Sequence, residues 1–165
     1  MPFAPPIADI DQLKSHPAVG RLLGWNPAAI QSVKFDREEM TIYVDRPYIR
    51  ESCALLRDNP QFPFNFLSDI TCVDWYPSEP RFEVVYHLLS IAKKDRVRLK
   101  VRLDGSSAVV ESITSVWSGA NFFEREVFDL FGVRFTGHPY LRRILMPEDW
   151  EGHPLRKDYP VEGYR

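Results

Sequence analysis

The sequence predicts an α+β fold: a two-layer α-β(2)-α-β(3) domain with a mixed or antiparallel sheet, followed by a further helix and an extended irregular C-terminal tail. Three observations carry this. Apolar residues alternate with period two in a pair of segments around residues 30–45 and again in later segments between 70 and 103. Helical spacing precedes and follows the first pair and returns at 121–132. Beyond Gly132 neither period survives, because Gly137, Gly152 and Gly163 alternate with Pro139, Pro147, Pro154 and Pro160. Strands paired as hairpins with helices gathered on one face describe a two-layer domain.

Residues 9–24 read as the first helix, with Ile10, Leu13, Val19, Leu22 and Leu23 apolar and Pro17 breaking or shifting it midway. "IQSVKF" and "MTIYVD" flank Asp36-Arg37-Glu38-Glu39. Val33 and Phe35 alternate on one side, and Met40, Ile42 and Val44 on the other, which is a β-hairpin. Asp45 is placed to cap the next helix, with Pro47 in its first turn. Ile49, Cys53 and Leu56 share one face of that helix, and Asn59-Pro60 ends it. Cys53 is thus expected as a packed thiol.

"ITCVDW", "RFEVVYHLLSIA" and "RVRLKVRL" are the three later strands, closed by a turn at Asp104-Gly105. His87, between Val85 and Leu89, reads as a half-buried strand histidine. In the third strand Val97, Leu99, Val101 and Leu103 face one way; Arg96, Arg98, Lys100 and Arg102 face the other, a cationic stripe about 20 Å long. No aromatic residue is interleaved on that face and the net charge is −2, so it is a solvated face or one docked on an acidic partner rather than a nucleic-acid track. Gln at Arg98 and Lys100 is expected to leave the fold intact.

The helix "NFFEREVFDLFG" starts after Ser118-Gly119-Ala120 and stops at Gly132, a natural C-cap. Phe123, Val127 and Phe131, with Phe128 and Leu130 alongside, form its apolar face. Glu124, Arg125, Glu126 and Asp129 form its polar face. Residues 1–132 are therefore expected as the core domain and 133–165 as a tail.

At 165 residues, 44% hydrophobic and 27% charged, the chain suits one folded domain. No segment approaches the roughly 20 apolar residues of a membrane span. The start "MPFAPPIADIDQL" lacks the basic and apolar regions of a signal peptide. Cys53 and Cys72 are too few for a disulfide framework, which points to a reducing compartment. There is no GxGxxG, GxxxxGK[ST], CxxC or HExxH. His138 and His153 could meet around a metal, but nothing near them completes a ligand set. Glu124, Glu126 and Asp129 lie close together, yet Arg125 stands among them and ion pairing is the plainer assignment than an acid–base pair. No active site, cofactor or metal is expected on this chain.

The tail "GHPYLRRILMPEDWEGHPLRKDYP", residues 137–160, carries most of the unexplained chemistry. An irregular segment of some 30 residues signals function or disorder. Disorder is hard to reconcile with Phe135, Tyr140, Leu141, Ile144, Leu145, Met146, Trp150, Leu155 and Tyr159. These side chains can fit under the domain's own surface, but an extended segment with aromatic and arginine anchors is also how a chain grips a partner, with Arg142, Arg143, Arg156 and Lys157 able to supply charge-assisted bonds. On this reading the tail is mobile in the isolated chain and ordered on a partner. Arg143, Trp150 and Arg156 are its anchors, and truncation after Gly132 leaves the body folded.

Residues 124–160 also resemble the signature of the 30 kDa-type (C-type) subunit of respiratory complex I, the NADH:quinone oxidoreductase. The resemblance rests on Glu124-Arg125-Glu126, Asp129, Phe131-Gly132, Gly137-His138-Pro139, Leu141, Arg143, Trp150, Gly152, Pro154 and Leu155-Arg156-Lys157-Asp158-Tyr159. Upstream, "VVYHLLS", "RVRLKV" and the order of elements fit as well; the likeness is weakest before Met40. Phe122 stands where the family often has Trp, and no longer C-terminal extension is expected.

The resemblance implies a non-catalytic structural and assembly subunit of the peripheral arm, on the cytoplasmic side of the bacterial inner membrane and attached to it only through the complex. Its tail would dock on the large hydrogenase-like quinone-site subunit. NADH, FMN, iron–sulfur clusters and quinone would belong to partner subunits, and no nucleic acid would be bound. The partner-facing residues it implies are Glu124, Arg125, Glu126, Asp129, His138, Arg142, Arg143, Trp150, His153, Arg156, Lys157, Asp158 and Tyr159. The alternatives are the equivalent subunit of a related ferredoxin- or hydrogenase-linked membrane complex and, outside the family, a nucleic-acid-binding module using the cationic strand.

Overall fold

A computed structural model describes residues 5–163; residues 1–4 and 164–165, the outer ends of the expected core and tail, lie outside it. The first helix is two: α1 (Ile10–Leu13) and α2 (Pro17–Trp25). Pro17 has no N–H to donate, so it opens α2 instead of interrupting it, and His16 Nδ1 accepts the Ala18 amide as the cap. The hairpin forms as expected from β1 (Ile30–Asp36) and β2 (Glu39–Val44). Its turn is narrower than the tetrapeptide, with only Arg37 and Glu38 outside the strands, at φ 52° and 66°. That left-handed pair matches the twist of the strands it joins. Asp45 caps a short 3₁₀ turn at Arg46–Tyr48, and α3 (Ile49–Arg57) follows directly.

The later strands are β3 (Phe66–Asp74), β4 (Phe82–Ser90) and β5 (Asp95–Leu103). β3 begins at Phe66, ahead of the expected Ile70. A bulge between Leu67 and Asp69 shifts the register there, so Leu67 and Ile70 both turn inward and the alternation is broken. The sheet order is β1-β2-β5-β4-β3, with β2 and β5 parallel and the other pairs antiparallel. This is the mixed sheet of the expected α+β fold. Helical residues Leu22, Ile49, Leu56 and Val127 pack with Met40, Leu99, Tyr86 and Ile70 of the strands in one core.

The outer face of the sheet differs from a free cationic stripe. Lys100 Nζ lies 2.5 Å and Arg102 Nε 3.4 Å from the carboxylate of Glu83, which is itself 1% exposed. Arg98 reaches Glu39 at 3.1 Å and donates to Thr41 Oγ1. The Tyr43 ring lies under Lys100 and Arg102. Most of the stripe's charge is answered within the sheet, because cross-strand neighbours carry the acids. His87 is half-buried between Val85 and Leu89, as expected.

α4 (Ala120–Phe131) ends at Gly132, whose φ of 76° is the left-handed C-cap that glycine allows. Its faces differ from those that pattern alone assigns. Glu124 and Asp129 are fully buried, whereas Phe122 is 61% exposed. A two-stranded parallel sheet, β6 (Val109–Glu111) with β7 (Arg134–Thr136), is absent from the sequence-based expectation; three-residue strands are too short to show a period. Val133 and Phe135 are buried in the core cluster, so the folded body runs past Gly132 through β7.

Candidate partner interface

The irregular segment lies back on its own body, and Asp129 is the centre of the attachment. Its Oδ2 accepts three consecutive amides, Ile144 at 2.9 Å, Leu145 at 2.7 Å and Met146 at 2.8 Å, while Oδ1 accepts Arg143 Nη1 at 2.6 Å. Such a run of N–H groups around one carboxylate is an anion nest. Burial pushes the Asp129 pKa up, but the amides and Arg143 outweigh it and hold the carboxyl below its usual range. Arg143 Nη2 also donates to the carbonyls of Trp150 and Gly152, both at 2.9 Å, closing the loop on itself.

The same segment caps the C-terminal end of α4. A helix leaves its last carbonyls without intrahelical donors. Here Phe128 O accepts from Gly132, Asp129 O from Arg143 and His153 Nδ1, Leu130 O from the Leu155 amide, and Phe131 O from Arg156 Nε at 2.6 Å. A Cβ on Gly132 would collide with Arg156 Nη2 and with the His153 ring, so glycine is needed there for space as well as for φ.

A second rivet lies further along. The buried Asp74 carboxylate accepts Arg81 Nε at 2.9 Å and Nη2 at 2.8 Å, and the amides of Tyr76 and Lys157. Arg81 turns its other edge to Asp158, at 2.6 and 3.0 Å. Burial opposes ionisation of Asp74, yet Arg81 and the two amides bring its pKa down to about 2. Asp74 and Arg81 carry no signal in the sequence; 77 residues separate Arg81 from Asp158, and no local pattern marks such a contact.

Most of the residues expected to face a partner therefore spend their polar atoms within the chain. Glu124 and Asp129 are buried, which corrects their placement on an outer polar face. Arg125 donates to the carbonyls of Arg142 and Arg143, not to Glu124 or Glu126. His138 accepts the Tyr140 amide on Nδ1, so its Nε2 donates to Asn121 O; burial pushes its pKa down and favours this neutral form. His153 donates from Nδ1 to Asp129 O and is likewise pushed down by burial. Arg143, Arg156 and Asp158 belong to the clamps.

What points outward is different. Glu126 and Lys157 are exposed, and within the described residues no partner reaches either side-chain charge. Arg142 pairs with Glu148 at the surface and covers the Tyr140 ring. Tyr159 donates its hydroxyl to Glu151 O. Around them stand Phe122, Tyr140, Ile144, Leu145, Trp150 and Leu155, all exposed, with Leu145 at 56%. Among the described residues no group of three or more His, Cys, Asp or Glu is placed to hold a metal, and no helix is long and apolar enough to cross a membrane.

A sequence model of the family described as "Respiratory-chain NADH dehydrogenase, 30 Kd subunit" matches residues 42–165. The chain belongs to this family. The C-type subunit of NADH-quinone oxidoreductase from Roseiflexus sp. (strain RS-1) is 51% identical over 141 residues, covering 86% of this chain and 81% of the relative. Its counterpart from Geobacter sulfurreducens is 47% identical over 137 residues, covering 82% and 83%. Among solved structures, a trypsin-resistant fragment of Nqo5 is 33% identical with a TM-score of 0.54, covering 62% of this chain and 83% of the fragment. A chain of an archaeal respiratory membrane complex, the membrane-bound sulfane sulfur reductase, is 28% identical with a TM-score of 0.73, covering 90% and 86%. Membership makes the chain one of the subunits of respiratory-chain NADH-quinone oxidoreductase, complex I.

Proposed function

We propose that the chain is a non-catalytic structural and assembly subunit of the peripheral arm, docking through the outer surface of its C-terminal segment on the large, hydrogenase-like quinone-site subunit. The observation that carries this reading is the orientation of the segment. Arg143 and Arg156 are spent on Asp129 and the end of α4, and the Lys157 amide on Asp74, while Tyr140, Ile144, Leu145, Trp150 and Leu155 are left in solvent. A rigid backbone presenting a cluster of exposed apolar and aromatic side chains is the preorganised form of an interface. Glu126, Lys157 and Arg142 then form its charged rim. NADH, FMN, iron–sulfur clusters and quinone sit on the partner subunits. The chain meets the cytoplasmic side of the bacterial inner membrane only through them, and it binds no nucleic acid.

The test is incorporation. Leu145→Ser with Leu155→Ser in the assembled complex removes two outward side chains that no clamp uses. The expected result is a folded protein that no longer co-purifies with the complex, with quinone reduction lost. Full incorporation of this variant would contradict the docking surface. A second reading, the equivalent subunit of a complex fed by another donor, draws on the likeness to the sulfane sulfur reductase chain. The higher identity to NADH-quinone oxidoreductase relatives favours the first.

A further inference from the structure

Glu124 is the one signature carboxylate that holds neither the tail nor an outer position. It is fully buried, and two donors serve it: the Ile113 amide at 2.7 Å on Oε1 and Ser112 Oγ at 2.6 Å on Oε2. No ion pair reaches it within the described residues, whereas Asp129 has three amides and a guanidinium. The ionisable groups facing it are Cys53 of α3 and Tyr86 of β4. Burial pushes both far up, so both stay neutral through the physiological range. An interior carboxylate with two donors and no cation is poorly compensated for its lost hydration.

The protonated form fits the same geometry. Ser112 Oγ lies 2.8 Å from Thr114 Oγ1, and Thr114 is half-buried at the surface. With Glu124 ionised, the Thr114 hydroxyl donates to Ser112 and the Ser112 hydroxyl donates to Oε2. With Glu124 protonated, its own O–H donates to Ser112, whose hydrogen turns to Thr114. One proton enters from solvent at Thr114, each hydroxyl passes one on and receives one, and no heavy atom has to move.

We propose that Glu124, Ser112 and Thr114 form a proton-binding site in the seam between α4 and the β6–β7 strands, loaded and emptied from the surface through the two hydroxyls. Burial supports this by pushing the Glu124 pKa up to about 7, against the bonds from Ser112 and Ile113. The folded value lies above the ordinary 4.5, so the stability it contributes is complete below 4.5 and is lost as pH rises to about 7. The seam is also where the tail leaves the body: the Ser112 amide donates to Thr136 O and the Thr136 hydroxyl to Val110 O, one residue before Gly137. Losing the proton loosens that joint. None of this depends on the docking reading.

Carbon-detected NMR of the Glu124 carboxyl in the full chain, from about pH 4 to about pH 9, tests it directly. The expected result is one titration with its midpoint more than one unit above 4.5. Ser112→Ala should move the midpoint higher, because the ionised form loses a donor. Thr114→Val should slow exchange of the carboxyl proton with solvent by about tenfold or more, since the outer step is gone. Glu124→Gln can keep both hydrogen bonds and should remove a pH dependence worth about fortyfold in the folded-to-unfolded ratio between about pH 5 and pH 7. If that variant does not fold, the wild-type titration decides alone. A carboxyl titrating at its ordinary value, or exchange unchanged in Thr114→Val, would overturn the proposal.

Discussion

The body and the tail of this chain are built with opposite polarity. On β5, Val97, Leu99, Val101 and Leu103 enter the core, and the charged residues between them stay at the surface or pair across the sheet. In the segment after β7 the arrangement is reversed. Arg143, His153 and Arg156 turn inward to carbonyls and carboxylates of α4, and Leu145 and Leu155 stand in solvent. The difference lies in what each region has to satisfy. A strand answers its backbone with its neighbours and is free to sort side chains by polarity. An irregular segment has no ladder, so its position is fixed by polar atoms that find unpaired backbone groups elsewhere.

Removing the tail breaks the comparison most severely. Truncation after Gly132 strips β7, with buried Val133 and Phe135, and uncaps α4. The expected outcome in a denaturation experiment is a loss of stability greater than that of any single substitution below, in place of the independently folded 1–132 body that pattern alone suggests. Asp129→Ala comes next. It leaves Arg143 and three amides without their acceptor, and should cost about 3–5 kcal/mol by chemical denaturation. Lys100→Gln tests the paired outer face: Glu83 is buried and loses its nearer cation, so a cost of about 1–3 kcal/mol is expected instead of a neutral change.

Acid sharpens the comparison without mutation. Asp74 titrates at about 2 in the fold against 3.8 otherwise, and Asp129 is lowered in the same sense. The contribution of Asp74 is complete above 3.8 and disappears as pH falls to about 2, and that of Asp129 is lost in the same direction, so the tail should release at acid pH before the sheet is lost. Amide chemical shifts of Ile144, Leu145 and Met146, measured by NMR against far-ultraviolet circular dichroism, would separate the two events. The smallest effect is expected of Leu145→Ser in the isolated chain, within about 0.5 kcal/mol of wild type, although the same residue is placed at the partner surface.

Sequence pattern reached the hairpin, β4 and β5, because alternation and turns are local properties. It placed β3 late because a single bulge at Leu67/Asp69 displaces the phase. It found which residues of the 124–160 signature matter but not where they point. Asp129 on an amphipathic helix reads as solvated until its donors are known, and those donors are backbone amides 15 to 17 residues downstream, which carry no side-chain signature. Asp74 and Arg81 escaped for the same reason at longer range. The expectation of a mobile strap followed from reading arginines as partner anchors. Their own carbonyl and carboxylate acceptors lie on the body.

Hydrogen exchange at the amides of Ile144, Leu145, Met146, Leu155 and Lys157 in the isolated full chain tests the clamped tail most directly. Each of these donates to an acceptor on the body, Asp129, Leu130 O or Asp74. Protection of about a hundredfold or more over an unstructured peptide is expected, lost at 144–146 in Asp129→Ala. Exchange at unstructured rates across these amides in the free chain, with protection gained only in the complex, would contradict it.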